Sequence, residues 1–545
     1  MRQRSVLSPR SSILLILLGA AGLFLIGNER MPLWDRDEPR YAECSREMLK
    51  SGDWVVPRFL GELRAHKPPL VYWCQATAMA IFGQTGAAAR LPSALAAFLT
   101  AAMLAAFVWR FAGPRRAIWA SFVFSTSALT VAAANFCNTD ALLLFFIAVG
   151  QGCLFGLWRR PQGSWLLVFI FWLSVALAGL TKGPVVLGMH AATLLILAYL
   201  NRARFGQSLG WLPRLKPLVG IVILLAVDSP WLILVHQRAP DFLSLLLNRA
   251  GKYASSSGAE GHAHWPGFYL LLIWALFFPW SLMLPTAIGM GLRHRKRPLL
   301  RFAFAAAVGP WIVMELVPNK LPFYILPSFP GLSILAAEAI VRCSCSKLGT
   351  RDDDMKQPIF RAAVGLWTIG VIAICACVWL AVSIGGGSPI LAIAWIVAAA
   401  IYASIVFVAF LNRRIALAAA TMGIGAAVLL SAAVIGVPSM TLLTASRQIG
   451  HELTALGAGG STKVAMIDYR EPSLAFYQGG GAREIDIGKL SRPNPPQWSV
   501  MTMDAWSKLS PRIQARFEII GPPRPVLIYN DGAQLKKVVI IRRRM

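Results

Sequence analysis

Apolar stretches of about 17 to 24 residues recur along almost the whole chain, each long enough to cross roughly 30 Å of hydrocarbon as a helix. They lie near residues 11–28, 88–110, 115–134, 138–157, 164–180, 184–201, 216–236, 267–290, 300–317, 322–341, 361–384, 389–411 and 414–437. That makes about thirteen spans. With 56% hydrophobic and only 14% charged residues, the chain is too apolar for an ordinary soluble protein. The fold class expected is a polytopic α-helical membrane protein. The first stretch follows Arg2, Arg4 and Arg10 as a signal peptide would, yet no small-x-small site follows it, so it reads as an uncleaved span.

The net charge of +28 does not point to nucleic acid, because the basic residues sit in short clusters between apolar runs with no aromatic interleaving. Every second connection is basic: Arg110, Arg115 and Arg116; Arg159 and Arg160; Arg202, Arg204, Arg214 and Lys216; Arg293, Arg295, Lys296 and Arg297; Arg413 and Arg414. The connection at 342–360 is mixed but counts with them, since acidic residues carry little topological weight. Such loops stay in the cytoplasm. With the amino terminus inside, the loop at 29–87 and the segment from about 438 share the extracytoplasmic face.

Two regions are therefore expected: a membrane region, 1–437, that includes the 29–87 loop, and a soluble extracytoplasmic α/β domain, 438–545. The latter alternates strand-like runs such as VAMIDY and RPVLIYN with helical patterns and Pro/Gly turns. The eight cysteines form no CxxC pair and read as filler. No fixed-period repeat is present, and residues 254–264 form a Gly/Ser/His-rich external loop.

Ionisable residues collect at one membrane boundary. Asp35, Asp37 and Glu38 follow the first span directly, and Lys67, Asp140, Lys182 and Lys320 all fall at external span ends. Helix capping would account for Asp37 before Glu38 and Pro39, and snorkelling would account for Lys182 equally well. Their shared side argues for chemistry. Carboxylates beside lysines suit a reaction of a lipid phosphate, the lysines neutralising the departing charge and a carboxylate taking the acceptor's proton. Pro68, Pro69, Pro322 and Pro327 restrict the backbone around both lysine segments. A transporter of lipid-linked sugars would share many of these features, but its site tends to lie at the midplane between repeated halves.

The motifs DEPRYAE, SREMLKSGDWVVPR, KPPLVYW, ARLPSALAA, NTD, KGP and NKLPFYILP run in this order between residues 34 and about 335, and SLAFYQGG lies in the terminal segment. Together they resemble the aminoarabinose transferase and protein mannosyltransferase family of C-type (GT-C) glycosyltransferases. The resemblance implies a polyprenyl-phosphate sugar donor, a glycolipid acceptor of the lipid A kind or a protein hydroxyl, no nucleotide sugar, and chemistry on the outer face of a bacterial inner membrane. By similarity Asp37 matches the essential first-loop aspartate, Asp140 the second carboxylate, Lys67 and Lys320 the phosphate-side lysines, and Tyr324 a cavity wall, with Glu38, Arg40 and Tyr41 as further substrate-binding candidates.

A single displacement at the anomeric carbon, with Asp37 orienting or deprotonating the acceptor, predicts inversion. The sequence departs from the family where relatives carry an aromatic-Glu-Lys-Pro run and this chain has Arg64, Ala65, His66 and Lys67. The loop stretch NRAGKY likewise offers Arg249 and Lys252 where relatives carry a histidine. A divalent metal would have only His66, His262 and His264 as weak candidates, and none is required.

Overall fold

The computed structural model describes residues 8–35, 37–201, 210–254, 263–345, 358–412, 414–528, 532 and 534–544. Among them, nine helices are long and apolar enough to cross a membrane, or eleven if each of two bent pairs is one span. Two shorter apolar helices, Pro9–Leu25 and Val185–Tyr199, occupy the remaining positions expected of spans. A polytopic α-helical membrane protein is what the chain forms. Within hydrocarbon a helix is favoured because every backbone polar group must find its partner inside the protein.

Two of the expected spans are broken. Helix Pro114–Thr126 turns by 64° into Ala128–Ala134, and Phe268–Leu276 turns by 119° before the segment Trp280–Arg293. The breaks satisfy each other: the Ala128 N–H donates to the Phe278 carbonyl at 2.8 Å, and Trp280 Nε1 donates to Thr126 Oγ1 at 3.0 Å. Non-helical backbone at membrane depth is tolerated where protein buries it in this way.

The basic connections meet at the opposite ends of the helices. Arg116, Arg297 and Arg342 all converge on the carboxylate of Glu338, which is 2% exposed. Arg214 reaches the Leu157 and Arg160 carbonyls.

The 29–87 loop is structured. Helix Glu38–Ser51 begins with Pro39 in its first turn, where the missing N–H costs nothing, and ends on Gly52 at φ +72°. A short hairpin pairs Arg58–Phe59 with Glu62–Leu63, and helix Leu70–Phe82 follows it, an element not expected from the sequence. The terminal segment holds a five-stranded mixed sheet in the order Ala482–Glu484, Val464–Ile467, Trp498–Thr502, Gln534–Arg543, Phe517–Ile528. Its first three strands pair in parallel and its last two antiparallel.

This sheet unit seats on the first loop. The Leu33 N–H donates to Tyr477 Oη at 2.8 Å, Lys50 Nζ to the Gly479 carbonyl at 3.0 Å, and Arg447 to the Arg30 carbonyl at 2.7 Å. Gly480 is needed at the contact, because its φ is +96° and a Cβ there would lie 1.9 Å from Arg46 Nη2.

Candidate active site

Between the first loop and the helix ends lies a cavity of about 230 Å³. Of the residues singled out in the sequence, Asp37, Arg40, Tyr41, His66, Lys67, Asp140 and Tyr324 line it. Lys182 lines it as well, together with Asp35, Arg64, Asn138 and Arg249.

The carboxylates are engaged differently. Asp140 starts helix Asp140–Arg159, and Lys182 ends helix Trp165–Lys182 before Gly183 at φ +82°; their side chains meet at 2.5 Å. Lys182 Nζ also stands 3.8 Å from the centroid of the Tyr324 ring, so this lysine is fixed from two sides. Asp35 accepts from the backbone N–H of Ser473 at 2.8 Å and from its hydroxyl at 2.5 Å. Asp37 occupies the N-cap position of helix Glu38–Ser51, yet its side chain makes no capping bond. Its carboxylate is exposed and has no hydrogen-bond or ion-pair partner among the described residues.

The field in the cavity is positive. Burial brings Lys67 down to about 8, and the neighbouring charge of Lys182 pushes the same way. Burial and then the charges of Arg64 and Arg249 bring His66 down to about 2, leaving the ring neutral. Burial raises Asp35 to about 6 against the opposing hydrogen bonds from Ser473. Tyr41 is pushed far above the ordinary phenol range, first by burial and then by Tyr72 and Asp37.

Three expected site residues lie elsewhere. Glu38 is fully buried and bonded to Arg90, so it is a support beneath the cavity and touches nothing in it. Lys320 is 2% exposed, and its Nζ donates to the carbonyls of His264 at 3.1 Å and Val317 at 2.8 Å. Lys182, not Lys320, is the second lysine that lines the cavity. His264 stacks on Phe268 with ring centroids 4.3 Å apart, away from the cavity. His262 lies outside the described residues.

Of the described metal candidates, His66 lines the cavity, ringed by basic groups that repel a cation. Among the described residues, no three His, Cys, Asp or Glu side chains are grouped to hold an ion, so the described donors do not fit a divalent metal. Arg64 and Arg249 were visible in the sequence only as departures from a family pattern, and Asp35 only as one of three neighbouring acids.

A many-helix membrane scaffold, with a loop-built cavity at one helix end and a small α/β unit seated on that loop, has the fold of the C-type glycosyltransferases. The chain shares this fold over nearly its whole length with ArnT from Cupriavidus metallidurans, solved bound to undecaprenyl phosphate: TM-score 0.77, 22% identity, 98% of each chain covered. Residues 66–234 match the dolichyl-phosphate-mannose-protein mannosyltransferase family. In sequence the chain is similar to the undecaprenyl phosphate-alpha-4-amino-4-deoxy-L-arabinose arabinosyl transferases. It is 29% identical to that of Serratia proteamaculans, covering 61% of this chain and 59% of the relative. It is 31% identical to that of Pseudomonas savastanoi, covering 57% of each. These matches thus span under two thirds of the length of those relatives. The resemblance read from the motifs is upheld by all three comparisons.

Proposed function

We propose that this protein is an integral membrane glycosyltransferase that moves a sugar from a polyprenyl-phosphate donor to an envelope acceptor. The reaction would occur on the extracytoplasmic face of a bacterial inner membrane, the basic connections and the amino terminus lying in the cytoplasm. A glycolipid of the lipid A kind is the acceptor that the motif resemblance implies, and a protein hydroxyl is the alternative that the mannosyltransferase match supports. The observation that carries the reading is one uncommitted carboxylate, Asp37, facing a membrane-end cavity in which basic side chains outnumber acids.

The donor's phosphate would lie beside Lys67 and Lys182. Asp37 would take the proton of the acceptor hydroxyl or phosphate while that oxygen attacks the anomeric carbon. The new carbon–oxygen bond forms as the bond to the phosphate oxygen breaks, and the electron pair leaves on the polyprenyl phosphate, whose extra charge the two ammonium groups stabilise. A single displacement inverts the anomeric centre. Asp140 would hold Lys182 in place and so act through it.

The reading is tested by incubating purified protein with a panel of polyprenyl-phosphate sugars and envelope acceptors and measuring product mass, for wild type and Asp37→Asn. Transfer that disappears in a folded Asp37→Asn variant, still able to bind undecaprenyl phosphate, is expected. Unchanged transfer would move the base elsewhere, and no transfer with any pair would overturn the reading.

A further inference from the structure

Arg64 is a buried positive charge in the cavity wall. It is 7% exposed, and among the described residues its guanidinium has no carboxylate partner and its Nε no hydrogen-bond acceptor. It lies 5.6 Å from the Tyr41 ring centroid and 5.5 Å from that of Phe59. The buried hydroxyl of Tyr72 lies beside the guanidinium and offers it a neutral oxygen, not a counter-charge. Stacking on two rings offsets only part of what withdrawing the ion from water costs, even after the protein relaxes. A guanidinium held this way without a counter-ion is a prepared anion site, and its planar fork suits a carboxylate or phosphate better than an ammonium would.

The charge count agrees. Among the described lining residues, Arg40, Arg64, Lys67, Lys182 and Arg249 stand with Asp35, Asp37 and Asp140, an excess of two positive charges. A phosphodiester donor brings one negative charge, so one positive charge remains after it binds. We infer that Arg64 forms a second anion subsite in this cavity, distinct from the Lys67–Lys182 phosphate site, which takes an oxyanion of the second kind presented during transfer. That oxyanion is either a carboxylate on the transferred sugar or a phosphate on the acceptor. This rests on the sugar-transfer reading above. It also means that a sugar bearing an ammonium group, the kind named for the similar arabinosyl transferases, adds repulsion here instead of relieving it.

Direct binding to the purified full-length protein tests this with two matched pairs of probes. One pair is an undecaprenyl-phosphate-linked hexuronic acid against the corresponding neutral hexose. The other is a bis-phosphorylated glycolipid against its dephosphorylated form. Wild type is expected to prefer the charged member of one pair at least tenfold, and the pair that shows the preference identifies the source of the oxyanion.

Arg64→Gln should abolish the preference while leaving the Kd for undecaprenyl phosphate within twofold, and Arg64→Lys should keep part of it with an unchanged unfolding midpoint. The inference is overturned if neither pair shows a preference, or if the preference survives Arg64→Gln. It is equally overturned if Arg64→Gln weakens undecaprenyl phosphate as much as Lys67→Gln does. If wild type does not bind undecaprenyl phosphate at all, the transfer reading falls, while the glycolipid pair still decides whether Arg64 selects an anion.

Discussion

The Arg90 guanidinium and the Glu38 carboxylate meet at 2.6 Å across 52 residues of sequence, both fully buried. The pair organises three segments. Glu38 also accepts the backbone N–H of Trp34 at 2.9 Å and of Cys137 at 2.7 Å, while Arg90 donates to the carbonyls of Asn28, Met31 and Pro32. Asp37 is the next residue to Glu38, and Asp140 lies three beyond Cys137, so the buried pair sets where these two cavity carboxylates stand.

Removing one partner of a buried ion pair costs about 3–5 kcal/mol because the other charge is left uncompensated. Glu38→Gln and Arg90→Met are therefore expected to lower the thermal unfolding midpoint of the purified protein strongly, where Asp37→Asn does not. A Glu38→Gln protein with a wild-type midpoint and a selective loss of lipid binding would return Glu38 to the substrate.

Much of this was legible in the sequence, and what was not has identifiable causes. Span length follows from the hydrocarbon thickness, so the apolar runs located the helices. Asp37, in the loop that follows the first apolar helix, is tied to the membrane face by connectivity alone. The choice between Lys182 and Lys320 was hidden. Both precede a Gly or Leu and then a proline at a span end, and only the carbonyls at His264 and Val317 turn Lys320 inward. The bend between Thr126 and Ala128 has no proline or glycine to announce it; its partner is Phe278, some 150 residues away.

That distinction predicts different outcomes for the two lysines. Lys182→Met removes a cavity ammonium and leaves Asp140 unpaired, so binding of undecaprenyl phosphate is expected to weaken at least about tenfold, the size of a lost charge-assisted hydrogen bond. Lys320→Met instead frees two backbone carbonyls. It should speed hydrogen exchange around residues 264 and 317 and leave the lipid Kd within about twofold, as titration of both variants would show.

Lys67 gives the lipid affinity a pH dependence of defined sign. Its pKa of about 8 means that the empty cavity loses this ammonium as pH rises through 8. A bound phosphate restores the proton, so affinity for undecaprenyl phosphate should fall above pH 8 by up to about tenfold per unit. Stability should move the other way. The unfolded chain holds the proton up to the ordinary lysine range near 10.5, so between about 8 and 10.5 the unfolded state binds more protons and stability rises with pH. Lys67→Arg, which stays charged, should flatten both slopes.

The seat of the sheet unit on the first loop depends on pH through Asp35. Burial raises its carboxyl to about 6 from an ordinary 3.8, while the two bonds from Ser473 favour its ionised form. A raised acid is protonated more readily in the folded state, so its contribution to docking is complete at low pH and is lost as pH rises through 6. Above 6 the ionised carboxylate needs the Ser473 donors most, and a hydrogen bond to a charged group contributes about 1.5–3 kcal/mol. Ser473→Ala is therefore expected to accelerate hydrogen exchange over residues 470–480 about tenfold or more at pH 8 and only slightly at pH 5. Equal acceleration at both values would mean that the serine holds the interface through shape alone, with the charge on Asp35 playing no part.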